Sequence, residues 1–291
     1  MRVFVTGGAG FVGSNVVAVA LERGDEVVAP PRSAVDLLDA HAAHDAVEDA
    51  RPDVIVHTAI LNDFARIYAD RRAAWASYVE VTRTLAHAAN ACGAALCTVS
   101  TDWVFDGTQS GADESTPPNP INYYGVLKLA SELVTLERAR EPIVARIAGV
   151  MGAHRTPRAQ DAGFGYFVTA VVDALAAGEP FTVWESDAIN MVATPSLASL
   201  SAAWMLELAE RRRRGVFHCC GGEATTRMEL ARAAAQVFEL DESLLRSGPP
   251  DPPPAPIPYD TSLDARATAR TLGHELPSVR ELLNALRAEL A

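Results

Sequence analysis

The sequence predicts an α/β fold, a doubly wound parallel sheet covered by helices on both faces, with a small discontinuous C-terminal part. In the first 150 residues, short β-branched runs alternate with longer alanine-rich segments whose apolar residues recur with a period near 3.6. Such alternation is typical of βαβ units and of parallel sheets buried between two helical layers. A glycine-rich turn at 6–13, directly after the first run, also favours this fold.

The helices and strands of this half are predicted from the spacing of their apolar residues. Alanine-rich amphipathic stretches predict helices, of which 41–50 and 73–90 are the clearest. Strands are predicted at 3–6, 26–29, 53–57, 95–100 and 143–150.

The pattern is looser beyond residue 150. A helix is predicted at 165–178 and a short strand at 181–184. The stretch 247–258 holds seven of the 18 prolines, so it is expected to be an ordered loop, with a proline-rich recognition peptide as the alternative. A last helix is expected near 278–290.

One further helix carries start and stop signals. Thr194 is the expected N-cap, Pro195 falls in the first turn, and Gly215 closes the helix. The arginines at 211–214 then lie in the last turn, where cations meet the negative end of the dipole. A basic cluster for nucleic acid is the alternative reading of the same run.

Composition excludes several classes of protein. Over 291 residues, 49% are apolar and 21% charged, which is typical of a globular chain. The 25 basic and 37 acidic residues give a net charge of −12, which disfavours nucleic acid or an anionic membrane as a partner. No apolar run is long enough to cross a bilayer, and no secretory signal, disulfide framework or metal-ligand spacing is visible. We therefore expect a cytoplasmic protein without a metal.

Gly7, Gly10 and Gly13 have the spacing GxxGxxG between a strand and a helix. The first permits a tight turn, the second lets the backbone approach a pyrophosphate, and the third allows close packing. The helix start at Phe11 and Val12 presents backbone N–H groups to the phosphates. The turn therefore predicts a dinucleotide site on a Rossmann fold.

The end of the second strand selects the cofactor. A carboxylate there would bind the ribose 2′-hydroxyl of NAD, but residues 29–33 contain none. Arg32 can pair with a 2′-phosphate instead, which favours NADP, with NAD still possible. The alternative is that Arg32 is a solvated loop residue.

Lys128 is the only lysine among 25 basic residues, so it stands where arginine was not used. Tyr124 precedes it by four residues and shares its face of a helix. An ammonium beside the phenol is predicted to lower the pKa of the tyrosine toward working pH. Such a tyrosine can protonate a ketone oxygen as hydride reaches its carbon.

A third polar group is expected from the end of the fourth strand. Ser100 and Thr101 stand there, at the edge of the sheet that also holds the glycine turn. A hydroxyl at this point can donate to the substrate carbonyl and orient it.

These residues resemble those of the extended short-chain dehydrogenase/reductase superfamily, and within it the dTDP-4-dehydrorhamnose reductase family. The resemblance covers the whole chain, and the block STDWVFDG is its most specific mark. The other marks include TGGAGFVG (6–13), PDVIVHTA (52–59), PINYYGVLKLASE (120–132) and RIAGVMG (146–152).

The resemblance implies a fold, a reaction and a set of roles. Thr101, Tyr124 and Lys128 would form the catalytic triad of a reductase that acts on the 4-keto group of a nucleotide-linked deoxysugar with NADPH or NADH. Residues implied to contact the cofactor beyond the glycine turn are Asp36 and Leu37 at the adenine, and Thr58, Ala59 and Ile147 toward the nicotinamide.

Three departures from the family pattern are visible. Tyr78 replaces the usual asparagine after the third strand, Ile60 replaces a small residue, and 187–191 lacks the usual arginine. The chain also resembles the regulatory β subunit of methionine adenosyltransferase, so a non-catalytic NADP-binding role is the rival, though such a role does not require the Tyr124–Lys128 pair.

Two rival enzyme classes differ in how well they fit. Related dehydratases follow the strand-four threonine with Asp-Glu, whereas Trp103 stands at the second of these positions and cannot act as an acid. An epimerase stays open.

The substrate is expected on the C-terminal side. Arg155 and Arg158 can clamp a diphosphate or a carboxylate, and Trp184 can stack on a base or sugar, with a solvated loop and core packing as the alternatives. Trp103 is a further candidate substrate residue. The predicted division is 1–150 with 187–219 for NADP, and 151–186 with 220–291 for the substrate, in a possible homodimer.

Overall fold

The computed structural model describes residues 1–61, 63–153, 155, 166–251, 253 and 255–291. The strands in this part of the chain are β1 (Arg2–Thr6), β2 (Glu26–Val28), β3 (Val54–His57), β4 (Ala95–Thr101), β5 (Pro142–Ile147), β6 (Phe181–Trp184), β7 (Val192–Ala193), β8 (Gly215–His218), β9 (Thr225–Thr226) and β10 (Leu245–Gly248). The α-helices are α1 (Phe11–Glu22), α2 (Ala40–Ala50), α3 (Phe64–Ala69), α4 (Arg71–Trp75), α5 (Val81–Cys92), α6 (Tyr123–Arg138), α7 (Phe167–Ala176), α8 (Ala198–Glu210), α9 (Arg227–Val237), α10 (Arg266–Leu272) and α11 (Val279–Leu290).

Six parallel strands form the central sheet in the order β2-β1-β3-β4-β5-β8. Side chains alternate between its faces, so Val3 and Val5 join one buried cluster with α8, and Phe4 joins another with α5. The doubly wound α/β class and the five strands expected in the first half are confirmed. The sixth strand, β8, was not predicted.

The long helix expected at 73–90 is interrupted. Between α4 and α5 the segment Ala76–Glu80 is a π-helical turn, which contains one extra residue per turn. The carbonyl of Tyr78 in this turn accepts hydrogen bonds from the hydroxyls of Thr82 (2.6 Å) and Ser131 (3.1 Å). The π turn therefore joins this helix to α6.

The helix expected after Thr194 begins later than predicted. The Thr194 hydroxyl donates to the carbonyl of Leu263 (3.0 Å) and does not cap a helix. The helix, α8, starts at Ala198 and ends at Glu210, so the arginines at 211–214 follow it. Gly215 does not close the helix but opens β8. The pairing of β8 with β5 across the sheet outweighs the local stop signal.

The C-terminal part contains two small sheets, β6 with β10 and β7 with β9. The first two residues of the proline-rich stretch 247–258 belong to β10, and its other described residues form neither helix nor strand. The last helix, α11, is confirmed, and its N-terminus has a capping box between Ser278 and Glu281.

All four cysteines are free thiols. Among the described residues, no helix combines the length and the apolar character needed to cross a bilayer.

Candidate active site

The glycine turn lies at the carboxyl end of β1, and it can pack this tightly only because its glycines have no side chains. Gly7 has φ +71°, and a Cβ there would lie 2.8 Å from the Cα of Ala59. A Cβ on Gly13 would lie 2.2 Å from the Gly7 carbonyl oxygen and 2.7 Å from Thr58 Oγ1. The predicted cofactor residues Thr58 and Ala59 therefore pack directly against the turn.

The start of α1 is open to an anion. Gly10 is its N-cap and brings no side chain to the first turn, which starts at Phe11 and Val12. Backbone N–H groups at the positive end of a helix dipole attract phosphate. The residues of this cradle thus fit the pyrophosphate of a dinucleotide, because the N-cap glycine has no side chain that would stand in front of those groups.

The residues predicted to hold the adenosine follow β2. Arg32 is exposed, and within the described residues no hydrogen bond or ion pair engages its guanidinium. Asp36 accepts a bond from the Leu38 amide (3.1 Å), while Leu37 packs on the cluster around Phe4. Their roles stay predictions, and the position after β2 is compatible with them.

Thr101, Tyr124 and Lys128 are brought together at the carboxyl end of β4. Thr101 ends that strand in register with Ile147 of β5, and the other two side chains project from α6. The Thr101 hydroxyl lies close enough to the Tyr124 phenol to act on its pKa, which it lowers. The Lys128 ammonium donates to the Val99 carbonyl (2.9 Å) and lies 5.6 Å from the centre of the Tyr78 ring.

Aromatic rings surround the phenol of Tyr124. The rings of Trp103 and Phe64 each lie 5.8 Å from it between centroids, and that of Tyr78 lies 6.2 Å away. Gly125 makes this packing possible, because a Cβ there would lie 2.3 Å from the Trp103 carbonyl oxygen. Phe64 was not predicted, although Asp63, the N-cap of its short helix α3, is a local signal and accepts from the Arg66 amide (2.9 Å).

The pKa of Tyr124 is raised, opposite to the predicted direction. Burial is the largest cause, the negative charge of Asp102 acts in the same sense, and the bond to Thr101 opposes them. Burial also lowers the pKa of Lys128 to about 8, although Glu132 acts to raise it. The phenol therefore keeps its proton at neutral pH, the state that a proton donor requires.

A buried ion pair lies below Lys128. Glu132, one turn further along α6, accepts two bonds from the guanidinium of Arg146 on β5 (2.9 and 2.7 Å) and one from Ser100 (2.5 Å). Both charged side chains are almost fully buried. Ser100, one of the two hydroxyls predicted near the substrate, is thus used to hold this pair.

Asp102 is the residue that the sequence argument missed. It is 4% exposed and accepts bonds from Thr101 Oγ1 at Oδ1 (2.9 Å) and from Thr261 Oγ1 at Oδ2. The single hydroxyl proton of Thr101 is therefore directed at a carboxylate and away from a substrate carbonyl, which differs from the prediction. The signal available was its position, directly after the predicted threonine.

The departures from the family pattern lie near Lys128 and in the segment 187–191. Tyr78 donates to the Leu61 carbonyl (3.1 Å), and Ile60 is 38% exposed. A cavity of about 10 Å³, lined by both residues together with Lys128, lies next to the triad. The segment 187–191 lacks an arginine of its own, but Arg227 reaches it from α9 and donates to the Asn190 carbonyl (2.6 Å).

The predicted substrate residues are spread apart. Trp103 is buried against Tyr124, whereas Trp184 is 49% exposed at the end of β6. Arg155 lies 3.7 Å from Glu289 of α11 in an ion pair, which partly neutralises the predicted clamp. Arg158 lies outside the described residues.

The sheet, the glycine turn and the Tyr124–Lys128 pair together define the extended short-chain dehydrogenase/reductase class. Within that class the chain belongs to the family described as RmlD substrate binding domain, whose family model matches residues 1–291. The family resemblance read from the sequence is thereby confirmed.

Similar proteins fall into two kinds. Methionine adenosyltransferase 2 subunit beta of Bos taurus is 32% identical over 263 residues, covering 84% of this chain and 74% of that protein. The dTDP-4-dehydrorhamnose reductase of Mycobacterium tuberculosis is 30% identical over 278 residues, covering 92% and 86%. Among solved structures, the dTDP-4-dehydrorhamnose reductase of Bacillus anthracis in complex with NADP has a TM-score of 0.86, 21% identity and 99% coverage of both chains.

Proposed function

We propose that the protein is an NADPH-dependent reductase that converts the 4-keto group of a nucleotide-linked deoxysugar into a hydroxyl. The observation that carries this proposal is the joint position of Thr101, Tyr124 and Lys128 at the sheet edge that also holds the glycine cradle. The relative in Mycobacterium tuberculosis and the NADP complex from Bacillus anthracis support the same substrate class and cofactor.

The roles follow from the contacts. NADPH, when bound, supplies the hydride that reaches the carbonyl carbon. Tyr124 gives its phenolic proton to the carbonyl oxygen, so the ketone gains one hydride and one proton and becomes an alcohol. Lys128 then favours the phenolate that is left, because its ammonium lies on the same helix face.

The lowered pKa of Lys128 sets a limit on this role. Its ammonium loses its proton as the pH rises through about 8, so stabilisation of the phenolate weakens above that pH.

The binding residues are part of the same proposal. Arg32 binds the 2′-phosphate of NADPH, and the surface around 187–191 and Trp184 binds the nucleotide of the sugar substrate. A cytoplasmic location and a homodimer stay predictions of the sequence.

The test is turnover of dTDP-4-keto-6-deoxysugars followed at 340 nm. Replacing Tyr124 by Phe should lower kcat about 10³-fold, since proton donation contributes 10²–10⁴-fold, and leave NADPH binding intact. Tyr123→Phe is the matched control, because that phenol donates to the Arg71 carbonyl (3.0 Å) and does not face the triad. Full activity in Tyr124→Phe would refute the proposed role.

A second candidate function is that of a non-catalytic subunit that binds NADP and regulates another enzyme. The identity of 32% to the bovine methionine adenosyltransferase 2 subunit beta favours it. Tight binding of NADPH, seen by nicotinamide fluorescence, without turnover of any keto-sugar would support this candidate over the reductase.

A further inference from the structure

Asp102 connects two distant parts of the chain at the proposed reacting group. One carboxylate oxygen accepts from Thr101 (2.9 Å), which ends β4 beside the phenol of Tyr124. The other accepts from Thr261, 159 residues further along the chain. All of these contacts are buried, so water does not compete for them.

The row of hydrogen bonds continues beyond Thr261. The Asn190 side-chain amide donates to Thr261 Oγ1 (2.8 Å), and the Thr261 amide donates to the Val192 carbonyl (2.9 Å). Thr261 therefore accepts from Asn190 and donates to Asp102. At the other end, the Thr101 hydroxyl donates to Asp102 and accepts from the Trp103 amide (3.3 Å). Asp102 therefore fixes the direction of the Thr101 proton.

We propose that Asp102 is a positioning residue for the reduction, which transmits the placement of the 187–192 and 260–262 segments to Thr101, the hydroxyl beside the proton donor Tyr124. This inference rests on the proposed function. The 260–262 segment belongs to the part of the chain expected to bind the substrate, so a substrate that orders this segment would fix Thr101 beside the donor at the same time.

The surroundings of Asp102 make the link sensitive to its charge. Tyr124 of α6 and Cys220, which follows β8, face it, and its negative charge raises the pKa of both. Within the described part of the chain, no cation forms an ion pair with it. Burial raises the pKa of Asp102 to about 6, and the bonds from Thr261 and Thr101 act to lower it. The carboxylate is therefore held by hydroxyl groups and by the backbone amides of Asp102 and Trp103, and it is lost as the pH falls through about 6.

The test compares Thr261→Val and Thr261→Ser, with Thr271→Val as the control. Thr271 lies in α10, and within the described residues its hydroxyl bonds only to the Ala267 carbonyl (2.9 Å). Thr261→Val should lower kcat about tenfold, the expected effect of one hydrogen bond to a charged group. Thr261→Ser should restore most of the loss, and the dissociation constant of NADPH should not change.

The pH profile separates positioning from general structural damage. In the wild type, kcat should fall below a pH of about 6. In Thr261→Val this acidic limb should move to higher pH, because the donor that stabilised the carboxylate is gone. In Asp102→Asn, the second variant, the limb should be absent.

Three results would overturn the inference while the reductase stands. The first is that Thr261→Val keeps the kcat and the pH profile of the wild type. The second is that Thr271→Val loses as much kcat as Thr261→Val. The third is that the acidic limb persists in Asp102→Asn. If the wild type itself reduces no keto-sugar, the proposed function fails first, and the role of Asp102 in it fails with it.

Discussion

The glycine turn and the Glu132–Arg146 pair support the same sheet edge by opposite means. The turn depends on missing side chains, since a single Cβ at Gly13 would lie 2.2 Å from a backbone carbonyl. The pair consists of two long charged side chains, 2–3% exposed, that satisfy each other. One region is therefore sensitive to added volume, and the other to lost charge.

Removing one charge should give the largest effect. Glu132→Gln leaves the Arg146 guanidinium buried without its anion, so we expect the free energy of unfolding to fall by about 3 kcal/mol. Urea unfolding measures this change. The matched control is Glu141→Gln, which breaks the exposed pair with Arg214 and should cost less than about 1 kcal/mol. Equal losses in both variants would contradict the distinction.

The same variant should change the pH dependence. Glu132 acts to raise the pKa of Lys128, which is about 8. Without that charge the pKa falls further, so the alkaline loss of kcat should begin at lower pH in Glu132→Gln. An unchanged alkaline limb would separate the pair from the function of Lys128.

Adding volume to the turn should have an intermediate effect. Gly13→Ala forces the turn apart, and overpacking of this kind costs about 2 kcal/mol. Gly10→Ala is the comparison, because its Cβ would lie 3.1 Å from the same carbonyl oxygen. Thermal unfolding should rank Gly13→Ala as the more damaging to stability. The reverse ranking would mean that the spacing at Gly13 does not control the turn.

Removing Arg32 should have the smallest effect on stability and a selective effect on the cofactor. We expect the KM for NADPH to rise about tenfold and that for NADH to stay constant, because only NADPH has a 2′-phosphate to pair with. Steady-state kinetics with both cofactors measures this, with Arg270→Ala as an exposed control. Equal changes for NADPH and NADH would identify Arg32 as a solvated loop residue.

The features that could be predicted from the sequence are those that depend on residues close together in the chain. The glycine spacing and the Tyr124–Lys128 pair lie within a few residues, so helix geometry alone brings each set together. The five strands of the first half could be predicted for the same reason, because each short β-branched run is a local feature of the sequence.

Features that depend on distant residues were missed or wrong. Nothing near Asp102 in the sequence indicates that Thr261 bonds to it. The start of α8 was placed too early because Thr194 bonds to Leu263 instead of capping the helix. The raised pKa of Tyr124 results from burial by Trp103 and Phe64, which the spacing to Lys128 does not reveal.

The late position of β8 has a consequence for synthesis. The sheet is complete only when residues 215–218 pair with β5, after the chain has passed through 148–214. At about 5–20 residues per second, translation of that interval takes roughly 3 to 14 s. Until then β5 is an edge strand whose unpaired N–H and C=O groups can pair with another chain. The risk of aggregation is therefore greatest on the ribosome, before β8 has emerged.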